Sequence, residues 1–591
     1  MQTGSISDYI WRQKYRCYGE NTLDDTWQRV ARAIAAPEAE AVIWTERFLT
    51  LLKAGSFLPG GRIIAGAGTA NNVTLFNCFV MGLIPDDMNG IFDSLREAAL
   101  TMQAGGGVGH DFSTLRPKGS KANRTGNIAS GPVSFMQVWN AMCATLLSSG
   151  ARRGAMLASL RCDHPDIELF IDAKRDNNLL EHFNLSVQVT DSFMQAVMEK
   201  RAWPLIYPLR AEESIEGREI VQHEWTGTGG KVPCVVHRHV DAATLWHRIM
   251  SANYYSGEPG VLFIDRINAL NNLHWREELT CTNPCGEIPL PPYGACNLGS
   301  LNLACFIQHP FSEKAGIALD RLADAAKVAV RFLDNVIDTS LFPLPSQREM
   351  ALSTRRIGLG ITGLADALMM LGLNYGSSSG REKAAQLMQT ICYAAYQCSI
   401  QLAQEKGCFP AFEQTQFLKS RFIQSLPEEL IAAIEKYGIR NSHLLAIAPA
   451  GTISLLADNT SSGIEPVFSF RQQRRIMTVD GGQETLELEN KAWRLWREDA
   501  GANAIEPKYF ITALELPATA HLQMQAALQP FVDSAISKTI NVPADCAFEE
   551  FSGLYVTANN LGLKGCTTFR TGCRNKNVLV PAPDCTRCEM D

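Results

Sequence analysis

Short apolar runs that alternate with amphipathic helices constrain this chain more than any other feature. Residues 183–189 and 261–264 have the length and apolar content of buried strands, and helical patterns lie nearby at 191–200 and 241–256. Such alternation predicts an α/β fold rather than separate all-α and all-β parts. Before it, Thr22 and Asp25 form an N-cap pair opening a helix to about Ala36, and a second helix is expected over 38–54, closed by Gly55. Residues 73–83 read as a buried strand and 91–103 as a helix broken by the glycines that follow. The stretch 313–404 reads as helical, interrupted near Pro343–Pro345 and at Gly358, Gly360 and Gly363. From Leu561 the periodicity fails and Cys, Pro, Arg and Lys collect, which predicts a mobile tail. The expected organisation is a helical region at 1–55, a catalytic domain at 56–560 and a tail at 561–591.

Composition narrows the function. Hydrophobic residues make up 46% and charged residues 19%, enough for a large core and too apolar for disorder. A net charge of −7 argues against binding nucleic-acid polymers, while leaving room for a local pocket that takes small anions. Seventeen cysteines in 591 residues fall short of a disulfide scaffold and suit a reducing compartment, so a cytoplasmic enzyme is expected. Residues 63–85 carry no charge, but Asn71, Asn72, Asn77 and several glycines interrupt them, which suits loop and strand better than a membrane helix.

The sharpest local pattern is Cys281-Thr282-Asn283-Pro284-Cys285-Gly286-Glu287, with Cys296 further on. Proline and glycine flank Cys285 and forbid a regular helix or central strand, so its thiol belongs at a loop tip. In an extended loop, Asn283 and Glu287 would share a face with Cys285, joining amide, thiol and carboxylate for radical or acid–base chemistry on a hydroxylated substrate. The plainer alternative is a cysteine buried in a loop by chance. The glycine run at 105–109 does not make a dinucleotide fingerprint, since position 110 is His110 and a helix precedes it. Pro449-Ala450-Gly451-Thr452-Ile453 precedes a helix or turn whose N–H groups could hold phosphates, the alternative being an ordinary turn. Arg62 reads either as a phosphate ligand or as a surface charge.

Asn-Pro-Cys-Gly-Glu at 283–287 and Asn-Cys-Phe-Val at 77–80 resemble the adenosylcobalamin-dependent (class II) ribonucleotide reductases. The motifs at 105–116, 130–136, 152–155, 164–167, 257–265, 355–366, 449–454, 463–468 and 536–543 are similar to the same family, and they occur in its order. The resemblance implies a ten-stranded α/β barrel with Cys285 on a finger loop. Cys285 would carry the thiyl radical that takes the 3′-hydrogen of the ribose, Glu287 would take the 3′-hydroxyl proton and Asn283 would orient the substrate. Cys78 and Cys296 would be the dithiol that ends as a disulfide, which requires them to meet on adjacent strands. Asn77, Gly107 and residues 449–453 would contact substrate, with Ala450 standing where the family usually has threonine. Pro59-Gly60-Gly61-Arg62 departs from the Pro-Asn-Ser-Pro-Thr stretch of many relatives. Asp86, Arg116 and Lys174 would bind a deoxynucleotide effector, the alternatives being a helix cap at Asp86 and solvated charges elsewhere; no N-terminal ATP cone is expected.

The radical source implied is adenosylcobalamin. A class I-like large subunit would need paired C-terminal tyrosines, and after Phe470 only Tyr509 and Tyr555 are present, far apart. The Tyr254-Tyr255 pair reads as packing. A catalytically silent deoxynucleotide-binding relative is the remaining alternative. In the tail, Cys585 and Cys588 form the spacing used for thiol–disulfide exchange, which implies reduction of the active-site disulfide and hand-over to thioredoxin or glutaredoxin. The rival is a zinc site from Cys566, Cys573, Cys585 and Cys588. A homodimer is expected, with no nucleic-acid polymer and no membrane as partner.

Overall fold

The computed structural model describes residues 6–120, 128–146, 155–175, 179–210, 216–477, 483–501, 504–573 and 579–581. Ten strands form its main sheet. They are β1 (Phe57–Pro59), β2 (Cys78–Val80), β3 (Gly107–Asp111), β4 (Met156–Arg161), β5 (Phe183–Val189), β6 (Gly260–Phe263), β7 (Ala295–Asn302), β8 (Ile357–Thr362), β9 (Thr539–Val542) and β10 (Gly565–Arg570). Neighbours follow the order β1-β7-β2-β3-β4-β5-β6-β10-β9, with β8 also paired to β7.

Strands β2 to β6 run parallel to one another. The pairs β7–β8 and β9–β10 are also parallel, and the two halves meet antiparallel at β2/β7 and β6/β10. Residues 444–447 complete the ring, with Leu445 bridging Leu359 of β8 and Ile447 bridging Ile536 just before β9, both in parallel. Asp533 fixes that segment by accepting from the Leu444 and Leu445 N–H groups (2.8 and 2.9 Å) and from the Tyr396 hydroxyl (2.8 Å). The architecture is an α/β barrel, as expected. Crossover helices such as Asp191–Met198 and Ala242–Ser256 cover its outside, so strands such as β5 are buried almost throughout.

The N-terminal helices are Ile6–Lys14, Leu23–Ala35 and Ala41–Lys53. Thr22 and Asp25 form a full capping box at the second. The third begins later than expected because Glu38 is used elsewhere. Its buried carboxylate pairs with Arg331 (3.0 Å) and Lys406 (2.8 Å), tying this region to helices Leu319–Thr339 and Ser378–Lys406.

The strand expected over 73–83 is confined to β2. The glycines at 358 and 360 lie within strand β8, where a Cβ on Gly360 would stand 2.4 Å from the Ala446 carbonyl oxygen. Residues 565–570, expected to belong to the tail, instead form β10, which pairs with β6 and β9 inside the barrel.

Candidate active site

Cys281–Thr282 pairs antiparallel with Pro289–Leu290, so the Asn-Pro-Cys-Gly-Glu segment is the turn of a hairpin. The Gly286 N–H donates to the Asn283 carbonyl (3.0 Å), and Gly286 takes φ +84°, which glycine adopts without strain. This corrects the extended-loop picture. Asn283 and Glu287 meet because they flank a turn, not because alternate side chains share a face. Asn283 Nδ2 donates to Glu287 Oε1 (2.9 Å) and lies 3.2 Å from Cys78 Sγ, while Asn283 Oδ1 accepts from the Ile288 N–H (3.0 Å). Asn283 and Glu287 are buried, and Cys285 is exposed at the tip.

Cys78 on β2 and Cys296 on β7 are cross-strand partners in an antiparallel ladder. Directly opposed residues in such a ladder stand at about the Cα separation that a disulfide needs. Both thiols are free and buried. Burial, then the Glu287 carboxylate, pushes the Cys78 thiol well above its ordinary range. Burial does the same to Cys296, against a smaller opposing pull from Arg356. The pair therefore stays protonated at neutral pH, the form that can give up hydrogens.

Cys285 stands between two cavities. One, of about 110 Å³, is bordered by Arg62, Asn77, Gly105 to Gly107, Pro449 and the Cys78–Asn283–Glu287 group. Asn77 Oδ1 is buried here with no hydrogen-bond partner among the described residues. A Cβ on Gly105 would come within 2.8 Å of the Arg62 guanidinium, which lies across the glycine run at the cavity edge. Arg62 is thus a cavity residue rather than a remote surface charge. Of residues 449–453, Pro449 borders the cavity. The Ala450 N–H donates to Ser462 Oγ (2.8 Å), which leaves the N–H groups of Gly451, Thr452 and Ile453 at the start of helix Gly451–Leu456.

The other cavity, of about 240 Å³, lies beyond Cys285 and is bordered by Asn184, Ser186, Glu258, Lys538, Thr567 and Thr568 on β5, β6, β9 and β10 and their approaches. Sequence reasoning missed this set. Its members sit on strands distant in sequence, and only barrel register brings them together.

The expected effector residues lie outside both cavities. Arg116 Nε donates to Asp86 Oδ2 (2.8 Å) and its backbone N–H to Asp86 Oδ1 (3.1 Å); the neighbouring helix is capped by Asp87, not Asp86. Lys174 pairs with Glu258 (2.5 Å) at the edge of the second cavity. Cys566, expected in the tail, is buried in β10 and lines that same cavity. No group of three or more His, Cys, Asp or Glu among the described residues could hold a metal ion. Cys585 and Cys588 lie outside the described residues. Half-buried Tyr254 donates its hydroxyl to the Cys546 carbonyl (2.7 Å) and packs edge-on against the exposed Tyr255, so the pair serves helix-face packing. No helix among the described residues is long and apolar enough to cross a membrane.

The fold is thus a ten-stranded α/β barrel with a cysteine-tipped hairpin inside it and two thiols opposed across one ladder. Residues 76–569 match the family model for the ribonucleotide reductase barrel domain, and residues 6–72 match the all-alpha domain of the same proteins. The chain belongs to the ribonucleotide reductase family. It is 37% identical to the vitamin B12-dependent ribonucleoside-diphosphate reductase of Mycobacterium tuberculosis (strain CDC 1551 / Oshkosh), over 97% of this chain and 80% of that protein. It is 33% identical to the protein of the same name from Thermoplasma acidophilum, over 95% of this chain and 69% of that one. The ribonucleoside-diphosphate reductase subunit alpha of Chlamydia pneumoniae is 26% identical over 92% of this chain.

Proposed function

We propose that this chain reduces ribonucleoside diphosphates to 2′-deoxyribonucleoside diphosphates by thiyl-radical chemistry, with adenosylcobalamin as its cofactor. One observation carries the reading: Cys78 and Cys296 oppose each other across a ladder, and the Asn283–Glu287 pair and the Cys285 tip border the same cavity as Cys78. Both the substrate class and the cofactor are those in the names of the relatives at 33–37% identity.

Substrate occupies the smaller cavity, its ribose over Cys285 and its phosphates toward Pro449 and the N–H groups of residues 451–453. Arg62 and the Asn77 carboxamide line the remainder. Adenosylcobalamin, when bound, supplies the homolytic chemistry that generates a thiyl at Cys285. Cys285 Sγ then takes the 3′-hydrogen atom while Glu287 accepts the 3′-hydroxyl proton, held in place by Asn283. The C2′–O bond breaks and water leaves. Cys78 and Cys296 together give two protons and two electrons and become a disulfide, after which Cys285 returns its hydrogen atom to C3′ and Glu287 its proton to the 3′-oxygen. Substrate, dithiol and water balance without another reductant. Re-reduction of the disulfide falls to Cys585 and Cys588 and then to thioredoxin or glutaredoxin, with a deoxynucleotide effector and a second copy of the chain as further partners.

The larger cavity fits the adenosyl end of the cofactor. It borders Cys285 on the side away from the dithiol and is lined by the Ser186 and Thr567 hydroxyls, groups that suit a neutral nucleoside. The class I-like alternative needs a tyrosine relay to Cys285. Tyr555 instead lies buried with its hydroxyl on Thr568 Oγ1 (3.0 Å), and neither Tyr555 nor Tyr509 borders either cavity.

The test is to incubate the purified chain with a ribonucleoside diphosphate, dithiothreitol and adenosylcobalamin and to measure deoxynucleotide. Product is expected from the chain alone and none from Cys285→Ser. Product that appears only on adding a separate radical subunit would overturn the cofactor assignment. In the same assay, Cys585→Ser or Cys588→Ser should spare turnover with dithiothreitol and lose it with thioredoxin; equal loss with both would count against the tail's role.

A further inference from the structure

The finger hairpin is held from both halves of the barrel. On its return arm, the Ala535 N–H donates to the Glu287 carbonyl (2.9 Å). On its outgoing arm, Asn184 Nδ2 of β5 donates to the Pro284 carbonyl (2.8 Å). That carbonyl is the sensitive point. It shares one planar peptide unit with the Cys285 nitrogen, so fixing the oxygen fixes the axis on which Cys285 is carried. Proline has no N–H, so the carbonyl is the only backbone polar group Pro284 offers. On the far side of Cys285, Gly286 at φ +84° gives a permissive backbone that holds nothing by itself.

The strand end that bears Asn184 is itself pinned. The Phe183 carbonyl accepts from Lys174 Nζ, the Leu185 N–H donates to Glu258 Oε2 (3.2 Å), and Lys174 and Glu258 pair with each other. Both charged side chains are close to fully buried, at 11% and 9% exposure, where an ion pair is least screened by solvent.

We propose that Asn184 is the positioning residue for the radical-bearing Cys285, holding the Pro284–Cys285 peptide against β5, and that the Lys174–Glu258 pair holds the strand end from which it does so. The inference rests on Cys285 being the hydrogen-atom carrier. Asn184 touches neither reacting atom; it acts by placing one.

The experiment uses the full chain without cofactor for one readout and with it for the other. In Asn184→Ala, the rate at which iodoacetamide alkylates Cys285, followed by mass spectrometry of its peptide, should rise several-fold. With adenosylcobalamin, kcat should fall about ten-fold or more while KM changes little, because misplacement of a reacting group by about 1 Å is felt in the chemical step. Asn184→Asp separates positioning from mere packing. Its carboxylate cannot donate to the Pro284 carbonyl, but its protonated form can, so its kcat relative to wild type should climb as pH falls. If Asn184→Ala does not fold, that pH trend carries the test within a single protein. Lys174→Met should raise Cys285 alkylation too, by a smaller factor. Unchanged alkylation and kcat in Asn184→Ala, or a flat pH ratio in Asn184→Asp, would overturn the positioning role; unchanged alkylation in Lys174→Met would overturn the part given to the ion pair. A wild-type chain inactive with the cofactor would sink the proposed function instead, leaving the alkylation result to stand alone.

Discussion

Gly109 on β3 is packed tightly against the finger hairpin. A Cβ at this position would lie 1.9 Å from the Thr282 carbonyl oxygen and 3.3 Å from Cys281 Sγ. The first distance is far inside contact, so about 1 Å of relief is needed before the atoms merely touch. β3 has little freedom to supply it, because Gly109 pairs with Val80 on one side and Leu157 on the other and its carbonyl accepts from the Met81 N–H (2.9 Å). The hairpin must move instead, carrying Asn283 and Cys285 with it. Gly109→Ala should therefore cost about 1–3 kcal/mol of stability, as overpacking does. Its effect on turnover should be larger, about 100-fold in kcat, because displacement of that size separates reacting groups. The assays are thermal unfolding and deoxynucleotide formation with dithiothreitol. Gly553→Ala is the control: it lies in helix Phe548–Asn560 with nothing within 4 Å of the new methyl, and should gain up to about 1 kcal/mol with kcat unchanged. If Gly109→Ala keeps both its melting temperature and its kcat, the hairpin is not seated by this contact and the reasoning fails.

Asp533→Ala should remove the anchor of residues 444–447 and leave the Leu444 and Leu445 N–H groups and the Tyr396 hydroxyl unpaired, costing about 3–5 kcal/mol by denaturant unfolding; a cost under about 1 kcal/mol would mean that the ring closes without it. Burial raises the Cys78 and Cys296 thiols, so folding favours their protonated forms. The stabilisation this brings is present below the ordinary thiol range and is lost as pH rises past it. The two thiols should accordingly resist alkylation at pH 8 and react only as the solution becomes strongly alkaline, while the melting temperature declines over the same interval; thiolate-like rates at pH 7 would contradict the burial argument.

Much of the site was legible in the sequence because it is local. Proline before Cys285 and glycine after it can only make a turn, and Asn283 and Glu287 travel with that turn whatever the rest of the chain does. The capping box at Thr22 and Asp25 is equally local and formed as expected. Where the reading failed, a distant partner decided the outcome. Glu38 looked like the start of a helix and is instead buried against Arg331 and Lys406. Gly358 and Gly360 looked like interruptions in a helical stretch and are strand residues, with Gly360 tight against the Ala446 carbonyl. Residues 565–570 looked like tail because one short strand carries little periodic signal, and only pairing with β6 and β9 reveals it.

The sequence by itself determined which groups were available: a thiol forced to a turn, a carboxylate and an amide beside it, and further cysteines elsewhere in the chain. It determined an alternating α/β pattern because hydrophobic period is written residue by residue. Only the tertiary structure decided that Cys78 and Cys296 face each other, that Asn184 reaches the Pro284 carbonyl, and that Cys285 stands between two cavities. Those outcomes depend on strand register in a closed ring. Register is set by the packing of the whole barrel at once, and no window of sequence contains it.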